Sequence, residues 1–459
     1  MDPSASARLS RRRVLAAACA LATGLALTAC AGGAGAPAAP PIAAVSQAEI
    51  DAAMAKPTEL TFWTWVPDID KEVALFEEKY PAIDVKVVNA GQGEPQYTKL
   101  RTALKAGAGA PDVAQIEFQY IPTFSITKSL LDLRPYGAEK YADTFVDWTW
   151  QQVSGAGGEI WAYPQDTGPM GMLYRQDIFD KYGIAPPKTW DEFAKAAQTL
   201  HAADPDLYIT NLAANQNGAF MGLLWQAGAT PFATTAPDAV DVSVNDAASK
   251  KVGAYWQNLL QSGVVSADPD FTDSWFQGLA RGKYATWLTA AWGPVFLTGS
   301  AGESAGKWRA APLPQWDAAR PASGNWGGST TAAITGTKNP IAAAKFAEFL
   351  NTDPESTRTF TTEQFFFPAV KALLTDPAFT QQKPAFFGGQ PVNQVFADVS
   401  STVDVRFQWP PFLDQAVNDW DETVGKSFAD RTDVGASMDA WQQRITDYAR
   451  NQGFTVTTK

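Results

Sequence analysis

The sequence after about residue 56 predicts an α/β protein of two lobes, and three observations lead to that fold class. Strand-like and helix-like segments alternate from the start of this stretch, which is typical of α/β sheets with helices on both faces. The stretch holds roughly 400 residues, enough for two or three domains by the usual length prior. Helical patterns outnumber strand patterns in its second half, so two α/β lobes fit better than one continuous sheet.

The first elements form a β-α-β pattern. Residues 60–65 (LTFWTW) alternate and are rich in aromatic side chains, which predicts a strand. Apolar residues then share one helical face over 69–80, and Pro81 ends that helix. Residues 85–88 form a second strand. A helix between two such strands predicts that they are parallel and joined by a right-handed crossover.

The remaining elements are marked by their ends. A helical pattern over 97–104 stops at Gly107, and a third strand follows in PDVAQIE, residues 111–117. Three further helix starts are predicted: a capping box of Thr189 and Glu192, an N-cap and first-turn proline at Asn339 and Pro340, and Ser437 at the start of the last helix.

Residues 1–29 are predicted to be a signal peptide. Arg11 to Arg13 precede the uncharged run 14–29, which is short for a membrane span of about 20 residues, so an uncleaved anchor helix is the less favoured alternative. Residues 10–15 resemble a twin-arginine signal. Residues 27–30 (LTAC) resemble a lipobox, so we expect a lipid on Cys30 that anchors the protein at the outer face of the cytoplasmic membrane. Export by the twin-arginine and by the general secretory route both stay open.

Residues 30–55 are predicted to be the lipidated cysteine and a flexible tether, because Gly, Ala and Pro dominate after Cys30. Cys19 would leave with the signal peptide, so the mature chain has no cysteine pair for a disulfide. Loss of residues 1–29 removes four arginines and one aspartate and takes the net charge from −12 to about −15. This acidity argues against nucleic acid as a partner.

Signatures of catalysis and of cofactors are scarce in the sequence. His201 is the one histidine, and its place at a helix end predicts a solvated side chain or one in the last turn of the helix. No Walker loop or dinucleotide G-x-G-x-x-G motif occurs in the required setting. With one histidine and no free cysteine in the mature chain, a Cys/His metal site is excluded, whereas a calcium site of carboxylates stays open. We therefore predict no cofactor.

Aromatic side chains are abundant: 17 Trp, 12 Tyr and 26 Phe, many in segments that read as loops. A tryptophan offers a flat apolar face and one N–H donor. A pyranose ring has an apolar C–H face and hydroxyls around its edge, so aromatic loops with Asp, Glu, Asn and Gln nearby favour sugar recognition. For any single tryptophan the alternative is a place in the core, because Trp is highly buried on average.

Four segments in a fixed order resemble a known family. Residues 109–124, 160–200, 276–296 and 325–356 are similar to the family 1 extracellular solute-binding proteins of ABC sugar importers, the class that includes maltose-binding protein. The resemblance covers about residues 58–450. It implies a two-lobed, periplasmic-binding-protein-like fold of type II with the ligand cleft between the lobes.

The resemblance also implies where the lobes and the ligand lie. The amino-terminal lobe would be 56–163 plus 322–368 and the carboxy-terminal lobe 164–321 plus 369–459, with crossings near 163–164, 323–324 and 367–368. Proline and glycine at these joints suit a hinge. The implied ligand-binding residues are Trp65, Glu117, Gln119, Tyr120, Asp166, Trp225, Trp292, Asn325, Trp326, Phe367 and Trp409.

The function implied is a monomeric receptor that captures a mono- or oligosaccharide and passes it to the permease of an ABC transporter with a cytoplasmic ATPase. Two alternatives stay open. A lipid-anchored glycoside hydrolase would use two carboxylates, for which Glu117 and Asp166 are candidates. A receptor for glycerol-phosphate, a polyamine or a peptide is the other. For Asp166, a capping role is the alternative to ligand binding.

Overall fold

The structure, a computed structural model, describes residues 43–458. The predicted signal peptide, Cys30 and the first part of the predicted tether lie outside the described residues. The strands are β1 (Thr58–Trp63), β2 (Ile83–Val88), β3 (Val113–Glu117), β4 (Tyr163–Pro164), β5 (Met170–Arg175), β6 (Phe232–Ala236), β7 (Ala239–Val242), β8 (Thr286–Ala290), β9 (Trp308–Pro312), β10 (Ser329–Ala333) and β11 (Thr455–Thr457).

Helices surround these strands along the whole chain. They are α1 (Gln47–Met54), α2 (Asp70–Lys79), α3 (Glu94–Ala106), α4 (Ile121–Ile126), α5 (Asp147–Val153), α6 (Gln176–Lys181), α7 (Trp190–Ala203), α8 (Asn217–Gln226), α9 (Ala247–Gln261), α10 (Asp273–Arg281), α11 (Gly293–Ser300), α12 (Pro340–Thr352), α13 (Pro354–Thr362), α14 (Lys371–Leu374), α15 (Pro377–Thr380), α16 (Val392–Ser400), α17 (Leu413–Trp420), α18 (Lys426–Asp430) and α19 (Val434–Asn451).

The sheet of the amino-terminal lobe has the order β2-β1-β3-β10-β4. Strand β1 is parallel to β2 and to β3, so the prediction of a parallel β-α-β unit is confirmed. Leu60 and Phe62 on β1 are fully buried, and the Phe62 ring packs edge-on against Phe346 of α12 at 5.2 Å. Strand β10 is antiparallel to both β3 and β4, and the chain reaches it after passing through the other lobe.

The carboxy-terminal lobe contains two smaller sheets of the orders β8-β5-β9 and β11-β7-β6. Strand β5 is antiparallel to both of its neighbours, and every residue of β5 and β8 is buried. A strand that is covered on both faces reads as a continuous apolar run without alternation. This is why periodicity alone did not mark β5 in the sequence.

The prediction of a flexible tether up to residue 55 is wrong for its last part. Residues 47–54 form helix α1, which begins with a capping box: the Glu49 N–H donates to the Ser46 hydroxyl at 3.3 Å, and the Ser46 N–H donates to the Glu49 carboxylate at 2.8 Å. Met54 is buried in the core of the amino-terminal lobe. The S-x-x-E signal at 46–49 was present but follows a Gly/Ala/Pro stretch that hides it.

The other helix starts are partly as predicted. The capping box of Thr189 and Glu192 is confirmed, and Pro340 lies in the first turn of α12, although the Asn339 side chain makes no capping hydrogen bond. The last helix does not begin at Ser437. Asp433 caps it by accepting the Ala436 N–H at 2.9 Å, and Ser437 lies in its first turn.

The chain passes between the lobes in three segments that lie side by side. Asp166 pairs with Pro368 and Pro169 pairs with Asn325 in antiparallel bridges. The first crossing begins slightly later than predicted, because Pro164 pairs with Thr330 and is part of β4 in the amino-lobe sheet.

In the described stretch 43–458, no helix combines the length and apolar character that are needed to span a bilayer.

Candidate ligand-binding site

The three crossings form a hydrogen-bonded floor between the lobes. The Thr167 N–H donates to the Phe367 carbonyl at 2.8 Å, and the Trp326 N–H donates to the Gly168 carbonyl at 2.8 Å. Backbone groups of all three segments are therefore paired with one another, which satisfies them where the chain leaves its sheets. Side chains that follow these segments, or the strands beside them, border the space between the lobes.

Two predicted ligand residues are engaged within this floor. The Asp166 carboxylate accepts the Ser329 N–H at 3.0 Å, and the Asn325 side-chain oxygen Oδ1 accepts the Gly168 N–H at 2.9 Å. Their side chains are 6% and 1% exposed. The Asn325 amide also donates to the Gly327 carbonyl at 2.8 Å. The structure therefore favours a role in holding the crossings together for both residues.

Burial raises the pKa of two carboxyl groups, that of Asp166 in the floor and that of Asp270 in the carboxy-terminal lobe. Burial raises the pKa of Asp166 to about 7, against the lowering effect of the Ser329 N–H and with the charge of Glu117 adding to the rise. Burial likewise raises the pKa of Asp270 to about 7, opposed by its hydrogen bond from Asn211. Both carboxyl groups bind a proton in the folded protein at a pH where the unfolded chain has released it.

These raised pKa values predict that the contribution of Asp166 and Asp270 to the free energy of unfolding falls as pH rises from about 4 to about 7. Between the unfolded and folded pKa the native state holds more protons, so the contribution of each of these acids decreases as pH rises and is lowest above about 7. Asp166→Asn removes one of these contributions and should make the slope of the free energy of unfolding against pH more positive in urea titrations at pH 4.5 to 7.5. The exposed Asp206→Asn is the matched control; equal slopes for all three proteins would contradict the prediction.

The amino-lobe wall is built around Tyr97. The Tyr97 hydroxyl donates to the Glu117 carboxylate at 3.1 Å and accepts the Glu117 N–H at 2.9 Å. The Tyr97 ring lies 4.2 Å from the Tyr120 ring and 6.2 Å from the Trp65 ring, measured between centroids. Burial raises the pKa of Glu117, while hydrogen bonds from Tyr97 and Gln119 lower it. The structure thus brings the four predicted amino-lobe residues together at the carboxyl end of β3.

The carboxy-lobe wall is formed by the half-buried Trp292 and by Trp326 of the second crossing, which is 9% exposed. The Trp292 indole N–H donates to the Trp326 carbonyl at 2.8 Å, and the two rings meet edge-to-face with centroids 4.7 Å apart. Residues 327–328 connect the two walls: the Phe118 N–H donates to the Gly328 carbonyl at 3.2 Å, and Ser329 pairs with Glu117. The polar side chains of the amino-lobe wall and the rings of the carboxy-lobe wall are therefore both next to residues 327–328.

Three predicted ligand residues lie in packed regions. Trp225 is 1% exposed, stacks on Phe407 at 4.2 Å between centroids and donates its indole N–H to the Asp404 carbonyl at 2.8 Å. Phe367 and Trp409 are 3% and 6% exposed. Packing accounts for these three side chains, so the structure favours core roles for them, as it does for most of the tryptophans.

Trp409 also borders a separate groove of about 640 Å³. The groove lies between residues 121–128 and 151–161 of the amino-terminal lobe and residues 234–237 and 408–411 of the carboxy-terminal lobe. None of the residues of the two walls lines it. The groove is therefore a different feature from the two walls.

An ion pair joins the lobes next to the amino-lobe wall. Arg101 on α3 contacts the Asp414 carboxylate on α17 at 2.6 Å and the Glu94 carboxylate at 3.1 Å. Burial raises the pKa of Tyr120, and the charge of Asp414 adds to the rise, which places the pair close to this ring. No local pattern predicts this contact, because 313 positions separate Arg101 from Asp414.

Other candidate chemistry is sparse in the described residues. His201 lies in the last turn of α7, as predicted, and its Nδ1 is 3.2 Å from the Leu207 carbonyl. Between residues 43 and 458, no group of three or more His, Cys, Asp or Glu side chains is arranged to hold a metal ion.

Two α/β lobes joined by three crossings define the class of two-lobe binding proteins. The chain belongs to the bacterial extracellular solute-binding protein family, whose model matches residues 63–356. The family and the fold class predicted from the sequence are thereby confirmed.

Relatives of known structure share this fold over most of the chain. A binding protein of an ABC transporter of B. animalis subsp. lactis, in complex with β-1,6-galactobiose, is 33% identical; the match covers 87% of this chain and 99% of that chain with a TM-score of 0.75. The galacto-N-biose-/lacto-N-biose I-binding protein of Bifidobacterium longum, in complex with lacto-N-biose, is 26% identical, with coverages of 87% and 98% and a TM-score of 0.75. The arabinooligosaccharide-binding protein of Halalkalibacterium halodurans is 23% identical over 360 residues, which are 76% of this chain and 79% of that protein.

Proposed function

We propose that this protein is the substrate-binding lipoprotein of an ABC importer, which captures a neutral mono- or oligosaccharide and delivers it unchanged to a membrane permease. The observation that carries the proposal is that the Trp292–Trp326 rings and the polar residues Glu117, Gln119 and Tyr120 lie on segments that are joined by the hydrogen bonds of residues 327–329. The family membership and the sugars bound by the relatives support it.

The two walls offer the interactions that a sugar needs. A hydroxyl group donating to the Glu117 carboxylate would make a charge-assisted hydrogen bond, worth about 1.5–3 kcal/mol. Stacking of a C–H face on Trp292 would add apolar burial at roughly 25 cal/mol per Å². Arg101 is already engaged by Glu94 and Asp414, so the site does not call for an anionic ligand. A neutral polyhydroxylated ligand fits this balance of charges best.

Capture would proceed by closure of the lobes over the ligand. Contacts that exist only when the lobes are close shift the population towards the closed form when the ligand adds to them. The Arg101–Asp414 pair is a contact of this kind, because its partners belong to different lobes. Both side chains are about one-third exposed, 32% and 38%, so the pair would add a modest energy that salt weakens.

A thermal-shift screen tests the proposed ligand class. The panel would hold galactose, lactose, β-1,6-galactobiose, lacto-N-biose, maltose and arabinooligosaccharides, with glycerol-phosphate and spermidine as non-sugar competitors. A saccharide at 100 times its dissociation constant should stabilise the protein by about 2.7 kcal/mol. A shift with glycerol-phosphate or spermidine and with none of the sugars would contradict the proposal.

We also propose that the protein is held at the outer face of the cytoplasmic membrane by a lipid on Cys30. The basis is the sequence LTAC at 27–30 after a basic and then an apolar stretch. In cells that express the full chain, Cys30→Ser should move the protein from the membrane fraction into the soluble fraction or the medium. Cys19→Ser is the matched control and should leave it in the membrane fraction. Retention of the Cys30→Ser protein would contradict the lipid anchor.

A further inference from the structure

Strand β3 contains one side chain that packing alone does not explain. Val113, Ala114 and Ile116 are apolar and fully buried, whereas Gln115 among them carries an amide and is 1% exposed. A buried amide costs free energy unless its donor and acceptor groups are paired. The partners of the Gln115 amide therefore indicate what it does at this position.

The Gln115 side chain holds the loop that carries Trp65. Strand β1 ends two residues before Trp65, so the Trp65 N–H has no partner in the sheet. Gln115 Oε1 accepts this N–H at 3.1 Å and the Thr64 hydroxyl at 2.7 Å. The Thr64 hydroxyl oxygen in turn accepts the Val66 N–H at 3.1 Å. One side-chain oxygen thus takes the place of a neighbouring strand for the backbone of this loop.

The same amide is joined to the crossings between the lobes. Gln115 Nε2 donates to the Ser329 hydroxyl at 3.0 Å, and the Ser329 N–H donates to the Asp166 carboxylate at 3.0 Å. Ser329 is the first residue of β10 after the second crossing, and Asp166 lies in the first crossing. A series of hydrogen bonds therefore runs from Trp65 through Gln115 to two of the crossings, and its members other than Trp65 are buried.

We infer that Gln115 is a positioning residue of the ligand-binding site, which fixes the Trp65 ring relative to the crossings without touching the ligand itself. The inference rests on the proposed function, because it takes Trp65 as part of the amino-lobe wall. The Trp65 ring is half-buried and meets the Tyr97 ring edge-on at 6.2 Å between centroids. Without the hydrogen bond to its backbone, the ring would have to be ordered when the ligand binds, which lowers the affinity.

The variant Gln115→Met removes the amide and keeps an unbranched side chain of similar size that adapts to its surroundings. Gln442→Met is the matched control. Gln442 is 9% exposed and holds the backbone of the carboxy-terminal lobe: its Oε1 accepts the Val244 N–H at 2.8 Å, and its Nε2 donates to the Val242 carbonyl at 2.7 Å. Both variants should unfold at a lower urea concentration than the parent, because each leaves buried backbone groups unpaired.

Calorimetric titration with the saccharide that gives the largest thermal shift separates positioning from stability. Gln115→Met should weaken binding about tenfold, whereas Gln442→Met should leave the affinity within twofold. Trp65→Ala should also weaken binding. In the Trp65→Ala background Gln115→Met should have no further effect, because both changes act through the same ring.

Several results would overturn the inference while the proposed function stands: parent-like affinity of Gln115→Met or of Trp65→Ala, equal losses of affinity in the two glutamine variants, or additive losses in the double variant. Thr64→Val deletes only the hydroxyl that donates to Gln115 and is the milder variant if Gln115→Met does not fold. It should weaken binding about threefold, and parent-like binding would overturn the inference in the same way. Failure of the parent protein to bind any saccharide of the panel would contradict the proposed function itself.

Discussion

Replacing Trp292 by alanine is expected to weaken binding of the saccharide about 100-fold. Trp292 offers the half-buried ring of the carboxy-lobe wall, and its indole N–H fixes the Trp326 backbone through a 2.8 Å hydrogen bond. Aromatic anchors of this kind carry about 2–4 kcal/mol of binding energy when truncated, and every 1.4 kcal/mol is a factor of ten. Isothermal titration of the parent and the variant measures the change.

Trp316→Ala is the matched control for Trp292→Ala. Trp316 is also half-buried and lies in the carboxy-terminal lobe, where it packs on Trp190 at 5.6 Å and on Tyr255 at 5.3 Å between centroids. It has no ring contact with either wall among the described residues, so its loss should lower the free energy of unfolding and leave the affinity within twofold. Equal affinities for the parent and the Trp292 variant would show that the site is misplaced.

Gly324→Ala is expected to destabilise the protein by about 3 kcal/mol. Gly324 lies in the second crossing, and a Cβ atom there would sit 1.9 Å from the carbonyl oxygen of Gly222 on α8. Because backbone atoms of a helix cannot give way as the end of a flexible side chain can, the crossing itself would have to shift. Overpacking of an interior typically costs about 1–3 kcal/mol, and this contact is with backbone.

Urea unfolding of the Gly324 variant against Gly299→Ala checks this expectation. Gly299 lies in helix α11 of the carboxy-terminal lobe, and a Cβ atom there would meet nothing within 4 Å. Its replacement should leave the free energy of unfolding unchanged or raise it by up to about 1 kcal/mol through helix propensity. A Gly324 variant as stable as the parent would contradict the close approach of the second crossing to α8.

Local patterns in the sequence were enough to predict the elements with clear periodicity and caps. The β1-α2-β2 unit and the capping box of Thr189 and Glu192 depend on residues within a few positions of one another, so their signals survive in the linear sequence. Strand β5 gave no alternation because both of its faces are buried. Helix α1 was missed because its capping box follows a stretch that composition alone marks as a tether.

The site was predicted less completely than the fold, because the positions of its side chains depend on contacts between residues that are distant in the sequence. The carboxyl ends of β1 and β3 lie side by side at one edge of the sheet. Residues that follow these strands can therefore be predicted to lie close together, as is the case for Trp65, Glu117, Gln119 and Tyr120. The sequence contains no signal that separates the half-buried Trp292 from the buried Trp225, because both follow apolar residues near Gly.

Two features of the site depend on partners that are distant in the sequence. Tyr97 was predicted only as a residue on a helical face, yet its hydroxyl reaches Glu117 twenty positions on. The Arg101–Asp414 pair joins α3 to α17. Such contacts follow from the fold and have no local pattern.

The central claim is that the protein holds a saccharide between its lobes and releases it unchanged. Calorimetric titration with the sugar that gives the largest thermal shift, followed by chromatography of the sugar recovered from the same cell, tests this most directly. We predict saturable binding of one molecule per chain and recovery of intact sugar after prolonged incubation. Catalytic cleavage of the sugar, or the absence of binding by every saccharide of the panel, would contradict the claim.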